Sequence, residues 1–193
     1  MSESAIREPT EIEGVGIWRP RRFVDERGVF AEIFRDDCGL RFRPVQWNCV
    51  NSIANVLRGV HLHFDHFDYW MVLQGRALVG LHDLRVTSPT HGRSVLWDWS
   101  AEGKLAALEI PPGVAHGFYF PDDSLQLCGV SRLYDSRDEL GCRWNDPALN
   151  IAWPAIEPIL SDRDRSASSF EELAGRAREH FLMSHRGVAC ALG

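Results

Sequence analysis

Between Gly14 and Tyr134 apolar residues come in short runs separated by turn formers. The first five are Val15–Trp18, Val29–Phe34, Pro44–Ile53, Val56–Phe64 and Tyr69–Leu73. Ala77–Leu81, Val95–Trp99, Leu105–Ile110, His116–Phe120 and Leu125–Leu133 continue the series. Many strand-length runs at this spacing predict an all-β sandwich or barrel. Gln74-Gly75 and Pro111-Pro112-Gly113 supply residues suited to tight connections between strands. From Ser168 the period changes: Phe170, Leu173, Ala174, Ala177, Phe181 and Leu182 share one face at helical spacing. Ser168 with Glu171 and Ser169 with Glu172 both fit a capping box, which starts the helix near Ser169. Arg186 to Gly193 shows no period and reads as a loose tail. The expected organisation is a β-domain over 1–165, with 166–193 forming a short C-terminal helix and tail packed on it.

The chain has 193 residues, enough for one domain with appendages. Its 21 Lys and Arg against 27 Asp and Glu give a net charge of −6, which argues against nucleic acid or an anionic membrane as partner. An anionic ligand therefore needs a local basic site. The first residues, Met1 to Glu13, alternate charged and small side chains, so a cytoplasmic protein is expected. Cys38, Cys49, Cys128, Cys142 and Cys190 are scattered with no C-x-x-C, and are expected as reduced thiols.

The candidate chemistry sits in Gly59-Val60-His61-Leu62-His63-Phe64-Asp65-His66-Phe67-Asp68. Residues two apart on a strand share a face, so His61 and His63 are expected to point together. Asp68, at the start of the next strand, can return to the same pocket, and His116 offers a third imidazole. His61, His63, Asp68 and His116 are thus a candidate ligand set for a divalent metal such as Mn, Fe, Ni or Zn. Asp65 and His66 read as solvated turn residues, and His82 and His91 match no ligand spacing. Trp70, Trp97 and Trp99 read as core or interface rather than sugar platforms. H-x-H-x4-D-x6-G followed by P-G-x-x-H resembles the two motifs of the cupin superfamily, which implies a jelly-roll barrel.

A longer resemblance covers Phe23 to Asp164. Asp25-Glu26-Arg27-Gly28-Val29-Phe30, Val56-Leu57-Arg58-Gly59-Val60-His61 and the stretch Asp83 to Gly92 carry it. So do Ile110 to Phe118, Gly141-Cys142-Arg143-Trp144-Asn145-Asp146-Pro147, Ile151-Ala152-Trp153-Pro154 and Leu160-Ser161-Asp162-Arg163-Asp164. In order and spacing these resemble the dTDP-4-dehydrorhamnose 3,5-epimerases, which act on a nucleotide-linked 4-keto-6-deoxyhexose by removing a proton beside the ketone and returning it to the opposite face. The resemblance implies a His61 base oriented by Asp164, a nucleotide-sugar substrate, no required cofactor and a homodimer. Arg27, Gln46, Asn48, Arg58, His116, Arg163 and Tyr134 match substrate-binding positions, and an N-terminal strand bearing Phe30 and Glu32 is expected to line the neighbouring subunit's site.

Departures from that pattern fall at three places. The family's lysine falls on Asp68, its tyrosine acid falls on Cys128, and the usual H-Y-Q reads His61-Leu62-His63. Cys128 then becomes the candidate acid, with Tyr134 and Tyr119 as other donors. An ionised Asp68 would oppose a developing enolate, and two of the departures complete the metal set. Three functions follow from the residues: such an epimerase with an altered acid, a metal-dependent cupin enzyme (isomerase, lyase or dioxygenase), or a non-catalytic sugar-nucleotide binding protein.

Overall fold

The computed structural model describes residues 6–101 and 105–190, with side chains described from Arg7 to Met183. Among the described residues thirteen strands occur: β1 Ile6–Pro9, β2 Gly16–Arg19, β3 Arg21–Asp25, β4 Gly28–Glu32, β5 Gln46–Ser52, β6 Val56–Leu62 and β7 Asp68–Gln74, followed by β8 Arg76–Asp83, β9 Ser94–Ser100, β10 Ala107–Ile110, β11 Val114–Phe120, β12 Ser124–Val130 and β13 Leu140–Gly141. Two helices follow, α1 Asp162–Arg165 and α2 Phe170–Cys190. A six-stranded sheet runs β1-β2-β10-β7-β12-β5, a five-stranded sheet runs β13-β6-β11-β8-β9, and β3 and β4 form a separate hairpin. This is the expected all-β jelly-roll architecture.

Every apolar run of the sequence falls on a strand, with ends shifted by a few residues. Three strands have no apolar run to announce them: β1 is a short edge strand, β3 has only Phe23 and Val24 between charged residues, and β13 has two residues. The β7–β8 connection turns at Gly75, whose φ of +83° a side chain would resist.

The main core lies between the sheets, where Trp70, Val72, Leu108 and Ile110 meet Ala77, Val79, Leu81, Val114 and Phe120. Strand β7 reads as a continuous apolar run because both of its faces are covered. Trp70 and Val72 face the other sheet, while Tyr69 and Met71 lie beneath Ile33, Cys38, Leu40 and Phe42. Each such large side chain, fully buried, contributes roughly 1.5–3 kcal/mol.

Helix α2 packs on Val60, Leu62 and Ala115 of the five-stranded sheet through Phe170, Leu173, Ala174, Ala177 and Phe181. Its start is a reciprocal capping box, in which the Ser169 N–H donates to Glu172 Oε2 at 3.1 Å and the Glu172 N–H to Ser169 Oγ at 3.3 Å. Two expectations for this end need correction. Leu182 is about half exposed (49%), beyond the covered stripe, and the helix continues through Cys190 rather than loosening at Arg186. Residues 191–193 lie outside the described part.

Candidate active site

Strands β5, β6, β7, β11 and β12 wall an open cleft of about 780 Å³. Alternation along the strands delivers Gln46 and Asn48 from β5, Asp68 and Trp70 from β7, His116 and Phe118 from β11, and Gln126, Cys128 and Val130 from β12. Strand β6 breaks its alternation, since Arg58 and His61 both line the cleft although three residues apart. The cause is a bulge: Arg58 pairs with Phe118 and His61 with His116, so two residues of β6 oppose Gly117 alone. Gly59 makes the bulge possible, with φ +112° and a position where a Cβ would sit 2.8 Å from the His116 carbonyl oxygen.

His61 meets Asp164 across a sequence separation of 103, its Nε2 lying 2.6 Å from Oδ1. The segment that carries Asp164 is tied to β6 before it arrives. Leu57 N–H donates to the Ile159 carbonyl at 3.1 Å, and Ile159 N–H donates to that of Asn55 at 2.8 Å. Ser161 then caps α1 by accepting from Asp164 N–H at 3.1 Å, and its hydroxyl donates to Asp164 Oδ2 at 2.9 Å. Burial opposes ionisation of Asp164, but hydrogen bonds from His61, Ser161 and the Gly59 N–H outweigh it and hold the carboxyl below its usual range. An ionised carboxylate only accepts, so His61 turns an Nε2–H toward Asp164, which leaves Nδ1 as the basic nitrogen of the neutral ring. That arrangement suits a general base.

Opposite lies a cluster of buried polar groups. His63 Nδ1–H donates to the Asp138 carbonyl at 2.9 Å, and His66 Nδ1–H to the Asp138 carboxylate at 3.0 Å. The two rings stack with centroids 4.0 Å apart. His116 Nδ1–H donates to the Val114 carbonyl at 3.1 Å. Burial, reinforced by neighbouring imidazoles, pushes His63 down to about 2 and His116 down to about 3, so both are neutral. Burial pushes Asp68 up to about 6, against the opposing pull of His66 and of the Cys128 thiol, which donates to Asp68 Oδ1 at 3.6 Å. Burial, then the Asp68 charge, raise Cys128 well above the ordinary thiol value, so it stands as a protonated donor. Trp70 stacks on Phe118 at 4.2 Å and floors the cleft.

The structure gathers His61, His63, Asp68, His116, Cys128, Gln46, Asn48, Arg58 and Tyr134 around the cleft. Arg58 is held by Ser52 Oγ at 3.0 Å and the Asn51 carbonyl at 3.1 Å, while Arg163 reaches Glu139 at 2.7 Å beside the cleft. Tyr134 is 67% exposed at the rim. Tyr119 is not part of the cleft lining, and its hydroxyl donates to Asn55.

Arg27, Phe30 and Glu32 lie outside this chain's cleft. Arg27 pairs with Asp25 on the β3–β4 hairpin, Phe30 is exposed on β4, and Glu32 pairs with Arg35. The metal expectation also changes. His63 and Asp68 are joined by His66, which the sequence suggests is a solvated turn residue but which is in fact buried, while His61 is committed to Asp164. The fold turns the 63–68 loop inward onto Asp138, a contact that spacing along the chain does not register. Glu139, Gln126 and Arg132 also line the cleft, although no motif or spacing singles them out.

The sequence profile of the dTDP-4-dehydrorhamnose 3,5-epimerase family matches residues 9–172. A dTDP-4-dehydrorhamnose 3,5-epimerase of Shigella flexneri is 36% identical over 172 residues, covering 83% of this chain and 93% of the relative. A Legionella pneumophila dTDP-6-deoxy-D-glucose-3,5-epimerase, solved with dTDP-4-keto-L-rhamnose, superposes with TM-score 0.80 at 31% identity, covering 90% of this chain and 96% of that one. A 3'-monoepimerase of Streptomyces bikiniensis, solved with dTDP-quinovose, gives 0.78 at 31% identity and covers 93% and 98%. The protein belongs to the dTDP-4-dehydrorhamnose 3,5-epimerase family.

Proposed function

We propose that this chain epimerises a dTDP-linked 4-keto-6-deoxyhexose, using His61 as the base and Asp164 as the group that orients it and stabilises the imidazolium it becomes. The observation that carries the reading is the 2.6 Å His61–Asp164 contact at the wall of the cleft. The Legionella and Streptomyces relatives described above were solved with a dTDP-sugar, and acting on such a sugar requires a base of this kind. Nδ1 of His61 takes the proton from the carbon beside the ketone, and the imidazolium that results is stabilised by the buried carboxylate. The enolate is reprotonated from the other face by a protonated donor, for which Cys128 is the buried candidate and Tyr134 the rim candidate. Proton transfer between side chains and carbon needs no redox cofactor.

Gln46, Asn48, Arg58, His116 and Arg163 would receive the nucleotide and sugar, with guanidinium forks suited to diphosphate oxygens. The β3–β4 hairpin, with Phe23, Val24, Val29 and Phe30 exposed, would complete a second copy's cleft with Arg27, Phe30 and Glu32, making the working unit a homodimer. Free thiols at Cys38, Cys49, Cys128 and Cys142 suit a reducing, cytoplasmic setting. No described helix is long and apolar enough to cross a membrane. The test is incubation with dTDP-4-keto-6-deoxyglucose, borohydride reduction and stereochemical analysis of the released sugars. Inversion at C3, C5 or both is expected, and unchanged configuration at both carbons would overturn the proposal.

A further inference from the structure

We propose that His63, His66 and Asp68 form a binding site for one divalent transition-metal ion of the zinc, cobalt or nickel type, separate from the His61–Asp164 dyad. One donor atom from each of the three lies within 4.8 Å of the others, and all three residues are buried. Both imidazoles spend Nδ1–H on Asp138, one on its carbonyl and one on its carboxylate, which leaves both Nε2 lone pairs unspent. That is the outer support metal-binding histidines ordinarily have, since a partner on the far nitrogen fixes the ring and its tautomer. His66 Nε2 already lies 3.9 Å from Asp68 Oδ1. Bonds of about 2.0–2.2 Å would bring donor atoms to roughly 3–3.5 Å of one another, so the two stacked rings, whose planes lie 30° apart, must swing toward each other as the ion binds.

The surroundings favour a cation. Asp138 supports both rings, Glu139 Oε1 lies 3.7 Å from His63 Nδ1, and His116 Nε2 stands 3.8 Å from the second oxygen of Asp68. Two nitrogens and one carboxylate oxygen match borderline ions better than Mg²⁺ or Ca²⁺, which favour sites built from oxygen. Because His61 Nε2 is engaged by Asp164, this set leaves the base free, whereas a set containing His61 would compete for it. All three residues line the cleft, where a bound ion would be placed to polarise a carbonyl. The ligand geometry stands independently of the epimerase reading.

The experiment is equilibrium dialysis of tag-free protein against Zn²⁺ or Co²⁺, with metal content and the visible Co²⁺ spectrum as readouts. No substrate is present, so its failure and that of the epimerase reading are separately visible. One ion per chain is expected. Affinity should fall at least tenfold in His66→Gln and Asp68→Asn, about 10- to 100-fold in Asp138→Asn through lost outer support, and stay within about twofold in His61→Asn and His91→Ala. Absence of stoichiometric binding, binding retained in both His66→Gln and Asp68→Asn, or loss in His61→Asn with retention in His66→Gln would each overturn the site. If the ligand variants do not fold, X-ray absorption on the wild type decides, with two imidazoles expected and fewer than two contradicting the assignment.

Discussion

Replacing Asp164 by Asn tests whether the buried carboxylate drives His61 or merely neighbours it. The wild-type contact is short, at 2.6 Å, and the Asp164 side chain is 7% exposed, so the bond strengthens as the imidazole takes up a proton. A hydrogen bond to a charged group contributes about 1.5–3 kcal/mol, which at 1.36 kcal/mol per tenfold is a loss of about 10- to 150-fold in exchange rate. The variant has a second handicap. Ser161 donates its hydroxyl to Oδ2, so in Asp164→Asn the new amide oxygen should stay on Ser161 and the NH₂ should turn to His61. Nε2 must then accept, Nδ1 carries the proton, and the nitrogen away from residue 164 is no longer a base. The combined loss should approach the 10²- to 10⁴-fold that general-base catalysis supplies, which His61→Asn should show in full. Adding Ser161→Ala to the Asn variant leaves the Gly59 N–H as the remaining backbone donor to the amide, loosens its orientation and should recover part of the rate. The assay is single-turnover deuterium uptake by dTDP-4-keto-6-deoxyglucose in D₂O, read by mass. An Asp164→Asn rate within about twofold of wild type, or no recovery in the double variant, would refute the reasoning.

Further outcomes follow from other parts of the structure. Cys128→Ala should keep deuterium exchange at the carbon attacked by His61 while lowering net inversion, since it removes a donor and not the base; loss of both would assign the thiol a different role. Asp83 is fully buried and accepts from Arg85, Ser88 and Thr90, so Asp83→Ala should cost about 3–5 kcal/mol by leaving a broken buried ion pair, measured by urea unfolding. Burial opposes the Asp83 charge, yet those hydrogen bonds win and lower its pKa. Its contribution is therefore present above the unfolded value of about 3.9 and is lost as pH falls through the lower folded value, so wild-type melts should drop below about pH 4 more steeply than those of Asp83→Asn. Ser169→Ala should cost about 1 kcal/mol by removing the α2 cap, a fall of about 2–4 °C in Tm.

The strand pattern is legible because a sandwich core imposes period two wherever one face is wet, and α2 because its stripe and capping box agree. β1 and β3 leave little trace because short edge strands bury too little to mark the sequence. The resemblance points to the pairing of His61 with Asp164, but nothing local to either residue specifies it. Backbone bonds from Ile159 to β6 bring the carboxylate in, and the Gly59 bulge turns Arg58 and His61 to one side. The burial of His66 escapes the sequence for a related reason: its partner Asp138 lies 72 residues away, and only the fold reveals that the loop between β6 and β7 is capped from outside. Arg27, Phe30 and Glu32 are expected at a site by family likeness alone, and a single chain leaves them away from the cleft.

The most direct test of the central claim is proton NMR of dTDP-4-keto-6-deoxyglucose incubated with the wild-type protein in D₂O. The account predicts loss of the C3 or C5 proton signal with the protein, and its retention with His61→Asn. Both signals persisting with the wild type, or disappearing equally with His61→Asn, would contradict it.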